Sequence, residues 1–420
     1  MNNKYNELYI VTGAAGNLGS AIVRDLAGQG KNVRAFVLRG EEAAKHLPEQ
    51  AQVVEGDVTD VSTLETLFAD IPEGTATYVI HCAAMVSVST LVAEKIWHVN
   101  VDGTQNIIDK CREHNARLIF IGSTGAIPEQ PMGTAITEIG HYDPDAVIGL
   151  YDKTKAAASQ LVLDAIRSGA IDGCLILPTG ISGPGDYTFG NVSGVIKEYV
   201  EGKMPAGVAG TFNCADNRDM AAAIIRACRD GRTGESYILG GEQIDMKAVF
   251  DILAAHTGLP TIRTILPASL GKLIGKASDL AEKLTGKPQR MTSFAVYNLL
   301  RNNEFDSSKA VRELGYSPRP MAQSIAEEID WMLSEGIVTV PETTARSTGE
   351  KLADANARLG RELATGLGHM ADGVASGYKA IETSVVKGYT AVEDGFVSSF
   401  LMRRGETLTE AKDRLRGRAA

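Results

Sequence analysis

Thr12-Gly13-Ala14-Ala15-Gly16-Asn17-Leu18-Gly19 decides how this chain of 420 residues is read. Residues 8–11, before it, form a short apolar run, and residues 20–26, after it, are amphipathic. That order predicts a strand, a tight glycine turn and a helix. Glycines spaced by three let the backbone turn sharply and let a phosphate approach with no side chain in the way. The helix that follows offers free N–H groups and the positive end of its dipole to that phosphate. Gly13, Gly16, Asn17, Leu18 and Gly19 are therefore expected to hold the phosphates of a dinucleotide. The plainer alternative is a glycine turn that merely packs a helix on a sheet.

Outward from this stretch, β-branched runs at residues 8–11, 33–38, 52–54, 77–81, 117–121 and 173–177 alternate with helical patterns at 63–68, 94–114 and 150–168. Such alternation predicts an α/β fold, a doubly wound parallel sheet with helices on both faces. Ligands of such sheets bind beyond the carboxyl ends of the strands. The polar motifs fall at those ends, so they should converge on one crevice. Residues 1–180 are expected to form the dinucleotide-binding domain. Residues 181–340 change character, with Gly183-Pro184-Gly185-Asp186 as a turn and Pro260, Pro267, Pro288, Pro318 and Pro320 as punctuation. They are expected to form a smaller, mixed, substrate-binding region interleaved with the sheet.

Residues 341–420 are expected to be a long amphipathic helical tail. Gly366-Leu367, Gly377-Tyr378 and Gly388-Tyr389 open successive eleven-residue repeats, with Met370, Val374, Ile381, Val385, Val392 and Phe396 in phase. Eleven residues in three turns keep the apolar positions on one stripe. Residues 345–420 carry 12 basic and 10 acidic side chains, a net +2 against −10 for the whole chain. The narrow stripe and small charge favour self-association or docking through residues 345–400 over peripheral membrane contact. Thr407-x-x-Glu410 is a capping box for a last short helix.

Composition narrows the partners. With 44% hydrophobic and 22% charged residues, the chain has the make-up of a globular protein with a full core. The acidic balance disfavours nucleic acid. The five cysteines show no metal-ligand spacing and read as small buried hydrophobes of a reducing compartment. Residues 1–7 are polar and precede only a short apolar run, so no secretory signal is recognised and a cytoplasmic location is expected.

Further chemistry sits at the strand ends. Asp57 follows the third run and can accept from an adenine amino group, while Asp60 suits a helix cap. Arg39 ends the second run, where an acidic residue would hold the ribose 2′-hydroxyl of NAD and an arginine can pair with the 2′-phosphate of NADP. NADP is therefore slightly favoured over NAD. His81-Cys82-Ala83-Ala84 ends the fourth run; its alanines allow close approach of a cofactor, and His81 reads better as a core histidine than as a catalyst. Ser123 and Thr124 follow the fifth run, where a hydroxyl can polarise a carbonyl. Tyr151 and Lys155, four apart, share one helix face. A phenol is a poor base at neutral pH, and a neighbouring ammonium favours its phenolate. Tyr199 and Lys203 repeat the spacing but lack a strand-end hydroxyl upstream. Pro178 closes the sixth run where a nicotinamide could rest.

Together these residues resemble the extended short-chain dehydrogenase/reductase family, in its NAD-dependent epimerase/dehydratase and dihydroflavonol-4-reductase or 3-beta-hydroxysteroid-dehydrogenase-like branch. The resemblance spans residues 6–335. It rests on residues 12–19, Gly56-Asp57-Val58, His81-Cys82-Ala83-Ala84, Asn100-Val101-x-Gly103-Thr104, Ser123, Tyr151 with Lys155, Pro178-Thr179-Gly180 and Gly183-Pro184-Gly185. It implies a Rossmann-like fold, Tyr151 as acid/base, Lys155 as its partner and Ser123 as carbonyl anchor. It adds Val58, Ala83 and Ala84 to the cofactor residues. Two positions depart from the family: Leu177 stands where arginine is common, and Gly122 where a second serine is common. The expected activity is NAD(P)-dependent interconversion of a secondary alcohol and a ketone. A nucleotide-sugar epimerase or dehydratase, or a non-catalytic cofactor-sensing scaffold acting through its tail, are the alternatives.

Overall fold

The computed structural model describes residues 7–86, 93–286, 289 and 291–340. The chain divides into two compact units, Met1–Ala353 and Asp354–Ala420. The expected tail repeats and the capping box at Thr407 lie outside the described residues.

The first half winds strand and helix in turn. In chain order come β1 (Glu7–Thr12), α1 (Asn17–Gly28), β2 (Asn32–Val37), β3 (Gln52–Glu55), α2 (Val61–Phe68) and β4 (Ala76–His81). Then follow α3 (Ala93–Trp97), α4 (Gly103–Glu113), β5 (Arg117–Ile121), α5 (Leu150–Arg167) and β6 (Asp172–Pro178). The second half adds β7 (Gly180–Ser182), α6 (Asn191–Val200), β8 (Gly207–Val208), β9 (Thr211–Asp216), α7 (Asn217–Asp230) and β10 (Ser236–Leu239). It ends with β11 (Glu242–Asp245), α8 (Met246–Thr257), β12 (Ile265–Leu266), α9 (Ala268–Thr285), α10 (Ser293–Leu300), α11 (Ser308–Leu314) and α12 (Met321–Ser334).

Seven strands form one parallel sheet in the order β10-β6-β5-β4-β1-β2-β3. Alternate residues of β1 point to opposite faces. Tyr9 and Val11 enter a core shared with α1 and α7, while Leu8 and Ile10 enter another shared with α2, α4 and α5. Both faces are covered, which is why these strands read as nearly continuous apolar runs. The winding reverses between β1 and β4, so a crevice opens above their carboxyl ends. A third core, around Phe250 and Ile325, holds α6, α8 and α12 together.

One expected element is built differently. Residues 94–114, expected as a single helix, form α3, a π-helical turn at His98–Asp102 and α4. The wider turn carries Asn100, whose amide is drawn into contacts outside the helix: its Oδ1 accepts from Met85 N at 2.7 Å, and its Nδ2 donates to Thr154 Oγ1 at 2.9 Å. Such turns occur frequently at functional sites.

Candidate active site

The glycine stretch forms the expected turn between β1 and α1, and its glycines are demanded for different reasons. Gly13 has a φ of +63°, and a Cβ there would lie 2.7 Å from Ala83 N at the end of β4. A Cβ on Gly19 would meet Gly13 O at 2.2 Å. Both are fixed by protein packing. Gly16 has an ordinary φ of −71° and caps α1 without a side-chain bond. A Cβ there would meet nothing nearer than Gly13 O at 3.3 Å. Protein packing therefore explains its bareness least of the three. Leu18 is buried in the core and contributes only backbone here. Asn17 is not free: Asn217 donates to its Oδ1 at 2.8 Å, and its Nδ2 donates to Asp186 at 3.3 Å.

At the end of β4, His81 is buried between two threonines, Nδ1 lying 2.7 Å from Thr12 Oγ1 and Nε2 3.1 Å from Thr104 Oγ1. Thr104 gives its own proton to Asn100 O, so Nε2 carries the imidazole proton. Burial, and then the Lys155 charge, hold this histidine down to about 3. It is a neutral core residue. Thr12 Oγ1 also accepts from Ala83 N at 3.2 Å, which clips the loop after β4 to β1. Ala83 and Ala84 follow in that loop, both half-buried.

Across the crevice, Ser123 caps the short turn after β5, and its Oγ accepts from Gly125 N at 3.0 Å. Tyr151 lies in the first turn of α5, within hydrogen-bonding reach of the Ser123 side chain. Burial and then the neighbouring Asp152 push its hydroxyl well above the usual phenol range, while the Ser123 contact opposes them. Lys155, one turn on, is buried and donates to Ile121 O at 2.7 Å. Its removal from water lowers it to about 8, so it stays charged at neutral pH. Ser123 thus acts on Tyr151, while the lysine is anchored to the end of β5 rather than to the phenol. The sequence assigns Lys155 the lowering of Tyr151; in this arrangement the tyrosine remains a protonated donor.

The two family departures explain each other. A Cβ on Gly122 would lie 2.7 Å from Leu177 Cδ2. The leucine fills the space that a serine at 122 would need, so the pair is one exchange of packing. Thr124 is buried and donates to Pro178 O at 3.3 Å, tying β5 to the end of β6. The Tyr199–Lys203 pair dissolves, because Tyr199 is buried and donates to Pro260 O while Lys203 pairs with Glu201.

The opposite end of the crevice lies past β2 and β3. Asp57 Oδ1 accepts from Thr59 N and Thr59 Oγ1 at 2.9 and 2.8 Å, whereas Asp60 caps α2. Val58 is buried against α4 at Gly103. Arg39 is exposed two residues beyond β2. Its acidic neighbours brace the loop: Glu41 accepts from Leu38 N at 3.2 Å and Glu55 from Gly40 N at 3.3 Å.

Two arrangements were not legible in the sequence. Asp186, read as part of a turn, is a fully buried hub. It accepts from Thr188, Gly190 and Ser193 as well as Asn17, and so binds the Gly183–Asp186 turn to the glycine stretch. Arg301, from the end of α10, brings Nη1 to 3.5 Å from Asp152 Oδ2. Its Nε and Nη2 are buried and have no hydrogen-bond partner among the described residues. A cavity of about 50 Å³ lies there, lined by Gly125, Ile148, Tyr297 and Arg301 among others. No local pattern announces either contact; only the facing of distant segments creates them.

A parallel sheet with a glycine turn at its switch point is the frame of a Rossmann-like, nicotinamide-dependent oxidoreductase. Residues 9–240 match the model of the NAD dependent epimerase/dehydratase family, and the chain belongs to that family. Sterol demethylase protein B of Methylococcus capsulatus is 28% identical over 335 residues, covering 78% of this chain and 99% of that protein. The dTDP-glucose 4,6-dehydratase of Mycolicibacterium smegmatis is 25% identical over 337 residues, covering 77% and 92%. Among solved structures, gox2253 superposes with a TM-score of 0.69 at 27% identity, over 80% of this chain and all of that one.

Proposed function

We propose that the protein interconverts a secondary alcohol and a ketone, with NADP or NAD bound along the crevice. Ser123 beside Tyr151, with Lys155 one turn further along α5 and the bare Gly16 at the start of α1, supports this reading. A bound nicotinamide supplies or accepts the hydride. Gly13, Gly16, Asn17, Leu18 and Gly19 would hold the phosphates, Asp57 with Val58 the adenine, and Ala83, Ala84 and Pro178 would line the way to Tyr151. Tyr151, kept protonated by burial, gives its proton to the carbonyl oxygen during reduction, while Ser123 orients that oxygen. Lys155 holds its charge at the end of β5, where it favours the phenolate left behind and can hold a ribose hydroxyl. No carboxylate replaces Arg39 at the strand end, so NADP is favoured over NAD.

For the substrate, we favour an apolar alcohol carrying at least one further oxygen. The unmatched donors of Arg301 suit such an oxygen, because a buried N–H without an acceptor is costly. Glu129 in the lining beside Arg301 disfavours a diphosphate by like charge. A nucleotide sugar, the substrate type named for the M. smegmatis relative, is the second reading. The test is nicotinamide reduction with a panel of sterol-like 3-hydroxy compounds and a panel of nucleotide sugars. Oxidation confined to the first panel is expected. Turnover confined to nucleotide sugars would reverse the choice, and inertness toward both with every nicotinamide would return the cofactor-sensing scaffold.

A further inference from the structure

On a chain whose net charge is −10, helix α9 presents an unusual outer face. Leu273, Leu280 and Leu284 are 57%, 58% and 77% exposed. Lys272, Lys276 and Lys283 are exposed as well. At ~100° per residue, the lysines fall in an arc of about 40° and the leucines in an adjoining arc of about 40°. The helix thus carries a leucine stripe edged by a lysine stripe. Its two acids are turned inward. Asp279 accepts from Ser293 N at 3.0 Å, and Glu282, 2% exposed, accepts from Gln289 N at 3.0 Å.

The inner face explains why the outer one is free. Gly271 and Gly275 leave room for Val208 and for the backbone of Ser293, so the helix packs against its neighbours through glycine rather than leucine. Burying the leucines inward would have served the core; this helix keeps them outside. Segregated exposed leucine and lysine, with the acids withdrawn, complement a surface that is apolar beneath and anionic above. We infer that α9 is a docking face for an anionic phospholipid bilayer, lying in the headgroup layer rather than spanning it. Among the described residues no helix is long and apolar enough to cross a membrane. Helix α10, packed on α9, carries Tyr297 and leads to Arg301 at the cavity beside α5. Docking would set that cavity one helix away from lipid, a short route for an apolar substrate.

The test is co-sedimentation of the full chain with vesicles of phosphatidylcholine alone, and with phosphatidylglycerol added. Strong binding is expected only with the anionic lipid, and it should weaken with salt. The combined Lys272→Glu, Lys276→Glu and Lys283→Glu variant should bind at least about tenfold more weakly, since each lysine near such a surface contributes to affinity. The combined Leu273→Ser, Leu280→Ser and Leu284→Ser variant should lose binding while its thermal unfolding stays close to wild type. Wild-type protein that ignores anionic vesicles overturns the inference. Binding retained by both variants assigns it elsewhere in the chain and overturns it too. A leucine variant that changes only in oligomeric state, with vesicle binding intact, shows a protein partner on this face instead. None of these readouts needs cofactor or substrate, so they stand apart from the proposed reaction.

Discussion

Replacing Gly16 and Gly19 separately by alanine distinguishes a ligand cradle from a packing turn. At Gly19 the new methyl would sit 2.2 Å from Gly13 O, 2.9 Å from Gly13 C and 3.0 Å from Ala14 Cα. All three are backbone atoms, so the loop itself must move. Overpacking of this kind costs about 1–3 kcal/mol, and a backbone obstacle belongs at the upper end. At Gly16 the φ of −71° suits alanine, and its nearest contact, 3.3 Å, asks for a shift of only a few tenths of an ångström. The reduced freedom of the unfolded chain returns about 0.4–1 kcal/mol. Gly16→Ala should therefore unfold within about 1 °C of wild type, and Gly19→Ala about 3–4 °C lower. The assay is thermal unfolding with and without excess NADP or NAD. A cofactor at a hundredfold its Kd adds about 2.7 kcal/mol. A methyl in the phosphate path should cost Gly16→Ala tenfold or more in affinity, removing about 1.4 kcal/mol of that protection. A Gly16→Ala protein with the full cofactor shift would refute the cradle and leave the stretch as a packing turn.

The remaining predictions concern buried and positioning groups. Glu328 is fully buried; burial raises it to about 7 from an ordinary 4.5, although Ser182 and Gly183 donate to it. The folded state thus holds this proton more tightly than the unfolded one, and stability should fall by roughly 3 kcal/mol as pH rises from 4.5 to 7. Asp152, also raised to about 7, adds a decline of at least similar size, so Glu328→Gln should remove roughly half of the total fall in urea unfolding across pH. An unchanged slope would show that Glu328 is not its source. Asn100→Ala removes the link from the loop after β4 to Thr154 on α5, and should lower kcat more than it raises KM. Arg39→Ala should weaken NADP binding at least about fivefold while leaving NAD unchanged, measured by titration; equal loss for both would remove the basis for preferring NADP.

Much of the sheet was legible because its strands are buried on both faces and therefore read as apolar runs. The expected strand at residues 77–81 and the observed β4 differ by one residue, and 117–121 coincides with β5. Each site motif could be placed because a parallel sheet gathers its strand ends along one edge. What escaped the sequence is of another kind. The break at His98–Asp102 arises from a tertiary contact of Asn100, which helical periodicity does not record. Gly122 and Leu177 look like two separate departures until the strands lie side by side and the leucine is seen to fill the glycine's space. Asp186 looks like a turn residue because its partner Asn17 is 169 residues away. Lys155 was read from its spacing to Tyr151, but its observed hydrogen bond runs to Ile121 O, a carbonyl that carries no sequence signature.

In the proposed reaction Tyr151 moves the proton, and the cofactor binds independently of it. The most direct measurement is Tyr151→Phe assayed with any secondary alcohol that the wild-type enzyme oxidises, beside the thermal shift given by NADP or NAD. Loss of a positioned acid/base costs about 10²–10⁴ in rate. The predicted result is turnover reduced at least about a hundredfold with the cofactor shift intact. Turnover within about threefold of wild type would rule out Tyr151 as the proton donor, whatever the cofactor shift shows.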